Sequence, residues 1–343
     1  MNLDQAFDKY LPVVDAEMRR LFQSPFATLD PFYGMMAYHL GWLDQSFASI
    51  RASGGKRLRP ILCLLSCGAA GGEPEDSIPA AIALELIHNF SLVHDDIQDN
   101  SKTRRHRKTV WTIWGQPHAI NVGDGLFAMA FLSLANLRRD FPAQRITAIN
   151  RTFSEACLLL CEGQYMDMSF ETCLTVEADE YVRMIGRKTG ALLSCAAYAG
   201  ALIAGEDEVV AEKYRCFGEQ LGLAFQVQDD ILGIWGDPKT TGKPVADDLL
   251  QCKKTLPVLY ALRREHEMGG SLLAGLYARQ AMTPDDIPLI LETLARLDVL
   301  EYTITVNAAY CDRALAELEQ TGGRSPYRAT LAELVERLRD RPA

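Results

Sequence analysis

Two pairs of adjacent aspartates, Asp95-Asp96 and Asp229-Asp230, each lie near the C-terminal end of a long apolar run. Residues three, four or seven apart share a helix face, so His88, Asp95 and Asp99 line up on a helix read over about 79–100. That segment is otherwise Ile82, Leu84, Leu86, Ile87, Phe90 and Val93, apolar nearly all round, which predicts burial. Two carboxylates on one face of a buried helix repel each other and lose solvation, and a divalent cation relieves both. Hard oxygen donors suit Mg²⁺. The competing reading is an acidic helix end that faces water. The second pair repeats the arrangement: Gly222, Phe225, Gln226, Asp229 and Gly233 share a face, with Asp230 beside them. Two acidic helix ends aimed at one cavity would hold several Mg²⁺ ions and so bind a polyphosphate.

Cations sit where such an anion would need them. Gly54-Gly55-Lys56-Arg57-Leu58-Arg59-Pro60 is a basic cluster at a helix start. There backbone amides and the helix dipole favour an anion, and Lys56 and Arg59 add charge. Directly after the first acidic pair comes the run Ser101-Lys102-Thr103-Arg104-Arg105-His106-Arg107-Lys108. A dense basic run against an acidic site makes sense with an anion between them; by itself it reads as a solvated loop. Lys188-Thr189 interrupts an apolar helix, Lys243 lies in a Gly-Lys-Pro turn, and Lys253-Lys254 follow; each singly fits a surface position as well as a site.

The elements that must position these residues are helices. Helical periodicity dominates and no convincing β-alternation is found. Gly- and Pro-bearing turns separate segments read at about 34–50, 56–70, 79–100, 119–139, 143–169, 178–204, 208–235, 253–266, 284–320 and 327–340. Asp76 or Ser77 is expected to cap the helix that carries Asp95, with Pro79 in its first turn. No Ser/Gly-rich linker divides the 343 residues, so one all-α domain over 1–343 is favoured over two. With 48% hydrophobic and 23% charged residues, the chain can bury a sizeable core and is not disordered. A net charge of −10 argues against nonspecific nucleic-acid or anionic-membrane binding, so a phosphate ligand must meet a local basic cluster or metal. Asp4, Asp8 and Lys9 do not suit a signal peptide. The longest uncharged run, Gly190 to Gly205, falls short of the roughly 20 apolar residues of a membrane span. Nine cysteines without a CxxC pair argue against a zinc site or disulfide frame, and a cytoplasmic location is expected.

Taken together, Gly55 to Pro60, His94-Asp95-Asp96-Ile97-Gln98-Asp99 with Arg104-Arg105, Gly163-Gln164 with Asp167, Lys188-Thr189-Gly190, and Phe225-Gln226-Val227-Gln228-Asp229-Asp230 resemble the trans-isoprenyl diphosphate synthases, or polyprenyl synthetases. The motifs occur in the family order over about residues 54–254, and the pattern is most like that of geranylgeranyl diphosphate synthases. The resemblance implies a single bundle of about ten or more helices around a central elongation cavity, and a homodimer. It implies prenyl transfer in isoprenoid biosynthesis: isopentenyl diphosphate condenses with an allylic diphosphate, assisted by three Mg²⁺ ions. Carried across, Asp95, Asp99 and Asp229 would bind metal and, with Lys188, form the catalytic set. Lys56, Arg59, His88 and Arg105 would hold isopentenyl diphosphate. Arg104, Lys188, Thr189, Gln226, Lys243 and Lys253 would surround the allylic substrate, the match to Lys253 needing a one-residue insertion. The family's second motif commonly ends in a third aspartate, where this chain has Gly233. Gly233→Asp is therefore expected to leave activity intact or to change Mg²⁺ demand modestly.

The resemblance implies that product length is set at Phe90 and Ser91, five and four residues before Asp95. Ser91 lies about 40° from Asp95 on the helical wheel and Phe90 about 140° away. A small Ser91 leaves room while Phe90 acts through its bulk, or is ordinary core packing. The first motif also lacks the two-residue insertion seen in many bacterial farnesyl diphosphate synthases. A geranylgeranyl product is expected, with a farnesyl diphosphate synthase or a non-catalytic subunit of a heteromeric prenyl synthase as alternatives. A terpene cyclase would need neither Lys56 and Arg59 nor the second aspartate pair. A metal-dependent phosphohydrolase built on His94-Asp95 finds no ligand spacing among His39, His88, His106, His118 and His266.

Overall fold

The computed structural model describes residues 1–50, 52, 55–137, 141–173, 176–237, 246–279, 281–322 and 325–340. Among the described residues the chain is all-α apart from one short hairpin. It resolves into two compact units: Met1–Glu155 with Cys195–Arg215 and Thr321–Leu331, and Ala156–Ser194 with Cys216–Gln320 and Ala332–Ala343.

In the first unit, α1 (Leu3–Arg20), α2 (Asp30–His39), α3 (Leu58–Ala69) and α4 (Ile78–Gln98) are followed by strands Thr103–Arg104 and Arg107–Lys108. Then come α5 (Val110–Trp114), α6 (Gln116–Leu134) and the start of α7 (Ala143–Thr172). Helix α4 packs against α1, α3 and α6. Its Ala81, Leu84, Leu86 and Ile87 are fully buried, as an all-round apolar helix requires. Each such Leu or Ile contributes about 1.5–3 kcal/mol of burial. The helix starts with Pro79 in its first turn and stops where Asn100 turns left-handed at φ +52°. The Ser77 hydroxyl expected to cap it donates instead to the Pro74 carbonyl at 2.7 Å, inside a preceding 3₁₀ turn.

The second unit contains the remainder of α7, α8 (Ala178–Ile185), a π-turn at Gly186–Gly190, and the start of α9 (Ala191–Ala204). Most of α10 (Glu208–Trp235) follows, with α11 (Asp247–Leu250), α12 (Leu256–Glu267), α13 (Leu272–Tyr277), α14 (Ile287–Arg296), α15 (Val299–Gln320) and the end of α16 (Pro326–Arg339). Ile234, Leu249, Val258, Leu273, Ile290 and Leu294 anchor a buried cluster here.

Several boundaries differ from those read in the sequence. The segment 34–50 is helical only to His39, because the Asp44 carboxylate accepts from the Ser46 and Ala48 amides and closes a turn. The segment 284–320 is two helices, broken where Asp298 adopts φ +52°. Helix 253–266 begins only at Leu256, beside Pro257. Helices α1, α5, α11 and α13 were not expected. The hairpin was not expected either: Arg105 and His106 at its tip both have positive φ, a turn whose signal is usually Asn-Gly rather than two long side chains.

Candidate active site

At the end of α4 the aspartate pair divides its work. Asp96 is 2% exposed and accepts from Arg104 Nε at 2.8 Å. Burial pushes its carboxyl up to about 6, against the pull of Arg104. Asp95 is half-buried and Asp99, which caps the helix, is exposed. Asp95 and Asp99, one turn apart, are thus presented outward while Asp96 is tied inward.

The hairpin explains the basic run. Arg107 donates to the Tyr38 and Leu43 carbonyls at 2.8 and 2.6 Å and lies over the Tyr38 ring. Thr109 Oγ1 and Trp111 Nε1 both donate to the Ser101 carbonyl at 2.9 Å. The run is therefore a pinned element rather than a solvated loop, although Lys102 and Lys108 remain exposed. Arg105 lies against Gly55: a Cβ built on Gly55 would stand 2.7 Å from its Nη2. Burial lowers the Arg105 pKa, and the Glu85 carboxylate opposes that shift.

Within Gly55 to Pro60, Lys56 is exposed, Arg59 half-buried, and α3 begins two residues later than read. Arg57, between them, donates to Asp15 at 3.0 Å and pairs with buried Glu85 at 3.7 Å, which makes it structural. His88 keeps one partly exposed edge, yet burial first and then the charges of Arg59, Arg105 and Arg104 drive its pKa well below the usual imidazole value. The structure thus brings His88 into the field of three predicted anion-binding arginines as a neutral imidazole.

Below this end of α4, Phe90 and Ser91 are both buried. Ser91 Oγ donates to the His88 carbonyl at 2.9 Å. Phe90 meets Phe127 of α6 edge to face at 5.1 Å, and Phe127 meets Phe131 at the same spacing.

In the second unit, the pair on α10 divides in the same way. Asp230 is buried and accepts from Tyr181 Oη at 2.5 Å, Gln226 Nε2 at 3.1 Å and the Leu256 amide at 3.3 Å. Burial pushes its carboxyl up to about 7, against those donors. Asp229, on the adjacent face, stays half-buried. Thr189 Oγ1 donates to Gln226 Oε1 at 2.8 Å, which joins the π-turn to the same network. A π-turn adds a residue to the helical turn and re-aims its side chains. Lys188 on that turn donates to Asp167 of α7 at 2.5 Å. Gly163 permits this approach, since a Cβ there would stand 2.3 Å from the Lys188 amide nitrogen.

Gly233 has an occupant. A Cβ at this position would lie 1.9 Å from Asp248 Oδ2, so a carboxylate from α11 already stands where a side chain would go. A side chain at 233 would meet the far end of the Asp248 side chain, which must move to admit it, so Gly233→Asp would set two carboxylates side by side. Lys253 Nζ stands 3.8 Å from Asp248 Oδ1. Lys243 lies outside the described residues. Arg57, Tyr181 and Asp248 were not read from the sequence as site-building residues. Tyr181 carries no local signal, and Asp248 is 15 residues from Gly233.

Among the described residues no three His, Cys, Asp or Glu side chains already converge as a metal cage. The donor chemistry still fits Mg²⁺. Asp95 and Asp99 in the first unit, and Asp229 in the second, each offer hard oxygens at partly or fully exposed positions, and Mg²⁺ commonly combines one or two carboxylates with water and substrate phosphate.

An all-helical chain with two outward aspartates on α4, one on α10, and cationic side chains near each has the parts of an enzyme for diphosphates. Residues 41–294 match the polyprenyl synthetase family. The chain belongs to that family and is a prenyltransferase. It is 43% identical over 258 residues to a geranylgeranyl diphosphate synthase of Mycobacterium tuberculosis, which covers 75% of this chain and 73% of the relative. It is 40% identical over 270 residues to a (2E,6E)-farnesyl diphosphate synthase of Mycobacterium bovis, covering 78% and 74%. A polyprenyl synthetase crystal structure from Streptomyces coelicolor superposes with TM-score 0.86 at 35% identity, over 98% of both chains. A polyprenyl synthase from Caulobacter crescentus, complexed with calcium and isoprenyl diphosphate, gives 0.82 at 29% identity, over 100% of this chain and 98% of the other.

Proposed function

We propose that the chain condenses isopentenyl diphosphate with an allylic diphosphate and releases geranylgeranyl diphosphate. The observation that carries the product length is small Ser91 one turn below Asp95, next to Phe90 seated on Phe127. The geranylgeranyl diphosphate synthase among the relatives supports it, while the farnesyl diphosphate synthase keeps the shorter product as the alternative.

Asp95, Asp99 and Asp229 would hold Mg²⁺, and the resemblance implies three ions. When bound, Mg²⁺ neutralises the charge that develops on the departing diphosphate. Arg104, Lys188, Thr189, Gln226, Lys243 and Lys253 orient the allylic substrate. Lys56, Arg59, Arg105 and neutral His88 hold isopentenyl diphosphate. The allylic C–O bond breaks with its electron pair leaving on diphosphate. The double bond of isopentenyl diphosphate attacks the allylic carbon, and a proton then passes to the released diphosphate. Phe90 and the apolar face of α4 exclude water that would otherwise trap the cation.

The two compact units act as one functional domain; α7, α9, α10 and α16 each contribute residues to both. A homodimer is supported by apolar side chains exposed on α6, with Leu132 63% and Ile120 46% exposed. Sedimentation at micromolar concentration distinguishes dimer from monomer. No helix among the described residues is long and apolar enough to cross a membrane; the cytoplasm is the location proposed. Chromatography of the dephosphorylated product tests the chain length: a 20-carbon alcohol supports the reading and a 15-carbon one replaces it with the alternative.

A further inference from the structure

We infer that Asp15, on α1 and ahead of every motif, is a positioning residue for isopentenyl diphosphate: it fixes Arg57, whose backbone sets where Lys56 stands relative to Arg59. Asp15 lies outside the residues 41–294 that match the family. Arg57 is the N-cap of α3 and adopts φ +48°, ψ +37°. That left-handed region suits glycine, and a residue with a Cβ stays there only when its surroundings hold it. With a helical Arg57, α3 would begin earlier, and Lys56 and Arg59, three residues apart, would share a helix face. The left-handed Arg57 turns the chain instead. Arg59 then lies in the first turn of α3, while Lys56 stands ahead of the helix.

The Arg57 side chain is held from two helices. It is 9% exposed, and its Nη1 donates to Asp15 Oδ1 at 3.0 Å. Its Nε stands 3.7 Å from Oε1 of Glu85 on α4, a buried carboxylate that also accepts from Asn89 Nδ2 at 2.8 Å. One guanidinium thus ties the start of α3 to both α1 and α4. Asp15 is fixed in turn. Trp42 Nε1 donates to the same Oδ1 at 3.3 Å, and Arg19 Nε donates to Oδ2 at 3.1 Å. Arg19 also lies over the Trp42 ring at 4.3 Å. A carboxylate that accepts from two guanidiniums and an indole is set in one orientation. The inference rests on the proposed function, because it takes Lys56 and Arg59 as contacts of isopentenyl diphosphate.

If Asp15 only docked α1, its loss would lower stability and touch both substrates alike. A positioning role is selective. Binding of isopentenyl diphosphate is measured by calorimetry on the purified full chain, together with KM for each substrate and melting temperature. Asp15→Asn keeps the shape and removes the charge. It should weaken isopentenyl diphosphate binding and raise its KM about fivefold or more, with KM for the allylic primer within about twofold of wild type. Asp15→Glu restores the charge and should stay within about twofold for both substrates. Arg19→Gln removes a different donor from Asp15 and should also stay within about twofold. Arg57→Lys gives a second route, since a single ammonium cannot fork between Asp15 and Glu85, and should reproduce the selective loss even if Asp15→Asn does not fold. Unchanged isopentenyl diphosphate binding in Asp15→Asn and Arg57→Lys overturns the inference. So does a rise in both KM values with a lowered melting temperature, or an Arg19→Gln effect equal to that of Asp15→Asn. Wild-type turnover with an allylic primer is run in parallel. Its absence would defeat the proposed function, while the binding series still reports on Asp15.

Discussion

At the residue scale, each aspartate pair separates an inward from an outward carboxylate. Asp96 accepts from Arg104, and Asp230 from Tyr181, Gln226 and the Leu256 amide, while Asp95, Asp99 and Asp229 are the carboxylates proposed to hold metal. Asp95→Ala or Asp99→Ala should lower turnover by about 10²-fold or more, since each removes charge stabilisation at the transition state. The fold should survive, because neither side chain is fully buried. Steady-state rates at saturating Mg²⁺ check this, and near-wild-type turnover in either variant would count against the assignment. Lys56→Ala and Lys188→Ala should affect different substrates. The first should mainly raise KM for isopentenyl diphosphate; the second, which frees Asp167 of its ion pair, should impair use of the allylic primer. Varying one substrate at a time distinguishes them, and Lys56→Ala impairing only the allylic side would contradict the division. The outward aspartates were legible from the 3–4–7 spacing on an apolar helix. The inward partners were not, because spacing along one helix does not show what neighbouring elements supply. Tyr181, Leu256 and the hairpin arginine reach their aspartates from separate segments.

At the element scale, α4 carries both the proposed metal ligands and the proposed floor of the cavity, so in this reading one helix couples chemistry to product length. Phe90→Ala removes the ring seated on Phe127 and should lengthen the product. Ser91→Phe should shorten it. Both are read by chromatography after dephosphorylation, and unchanged length in both would place the floor elsewhere, with Phe131 on α6 the next residue in the aromatic row. Most helices were legible from periodicity. The failures share a cause: local hydrogen bonding outweighed the pattern. The Asp44 turn ended α2 early, the left-handed Asp298 split α14 from α15, and the π-turn at Gly186–Gly190 sits inside what reads as one continuous helix. The hairpin at 103–108 escaped because two-residue strands leave no alternation to detect.

At the scale of the whole molecule, a chain of net charge −10 binds polyanions by concentrating cations in a few places and burying neutral histidines among them. His39 and His88 are both held well below the usual imidazole pKa, by burial first and then by neighbouring arginines. An unfolded chain takes up these protons below about pH 6.5 and the folded one does not, so their contribution to stability is present above that pH and lost as pH falls. Asp96 and Asp230, raised to about 6 and about 7, have the opposite sign, because the folded chain keeps their protons at pH values where the unfolded chain has lost them. The isolated effect is therefore seen by difference: relative to wild type, His39→Gln should gain melting temperature as pH falls from about 7.5 to 5. A difference that does not change with pH would mean that His39 is protonated in the fold. The order of motifs along the chain made the family legible, because chemistry fixes those residue types. The closeness of Asp248 to Gly233 was hidden, because only the folded backbone brings positions 15 residues apart together.

The most direct test of the central claim is turnover by the purified wild-type chain. It is incubated with Mg²⁺, labelled isopentenyl diphosphate, and dimethylallyl, geranyl or farnesyl diphosphate in turn, and the dephosphorylated products are separated. The account predicts a 20-carbon prenyl alcohol from each primer and none when Mg²⁺ is chelated. No elongated product from any primer, or the same yield without divalent metal, would contradict it.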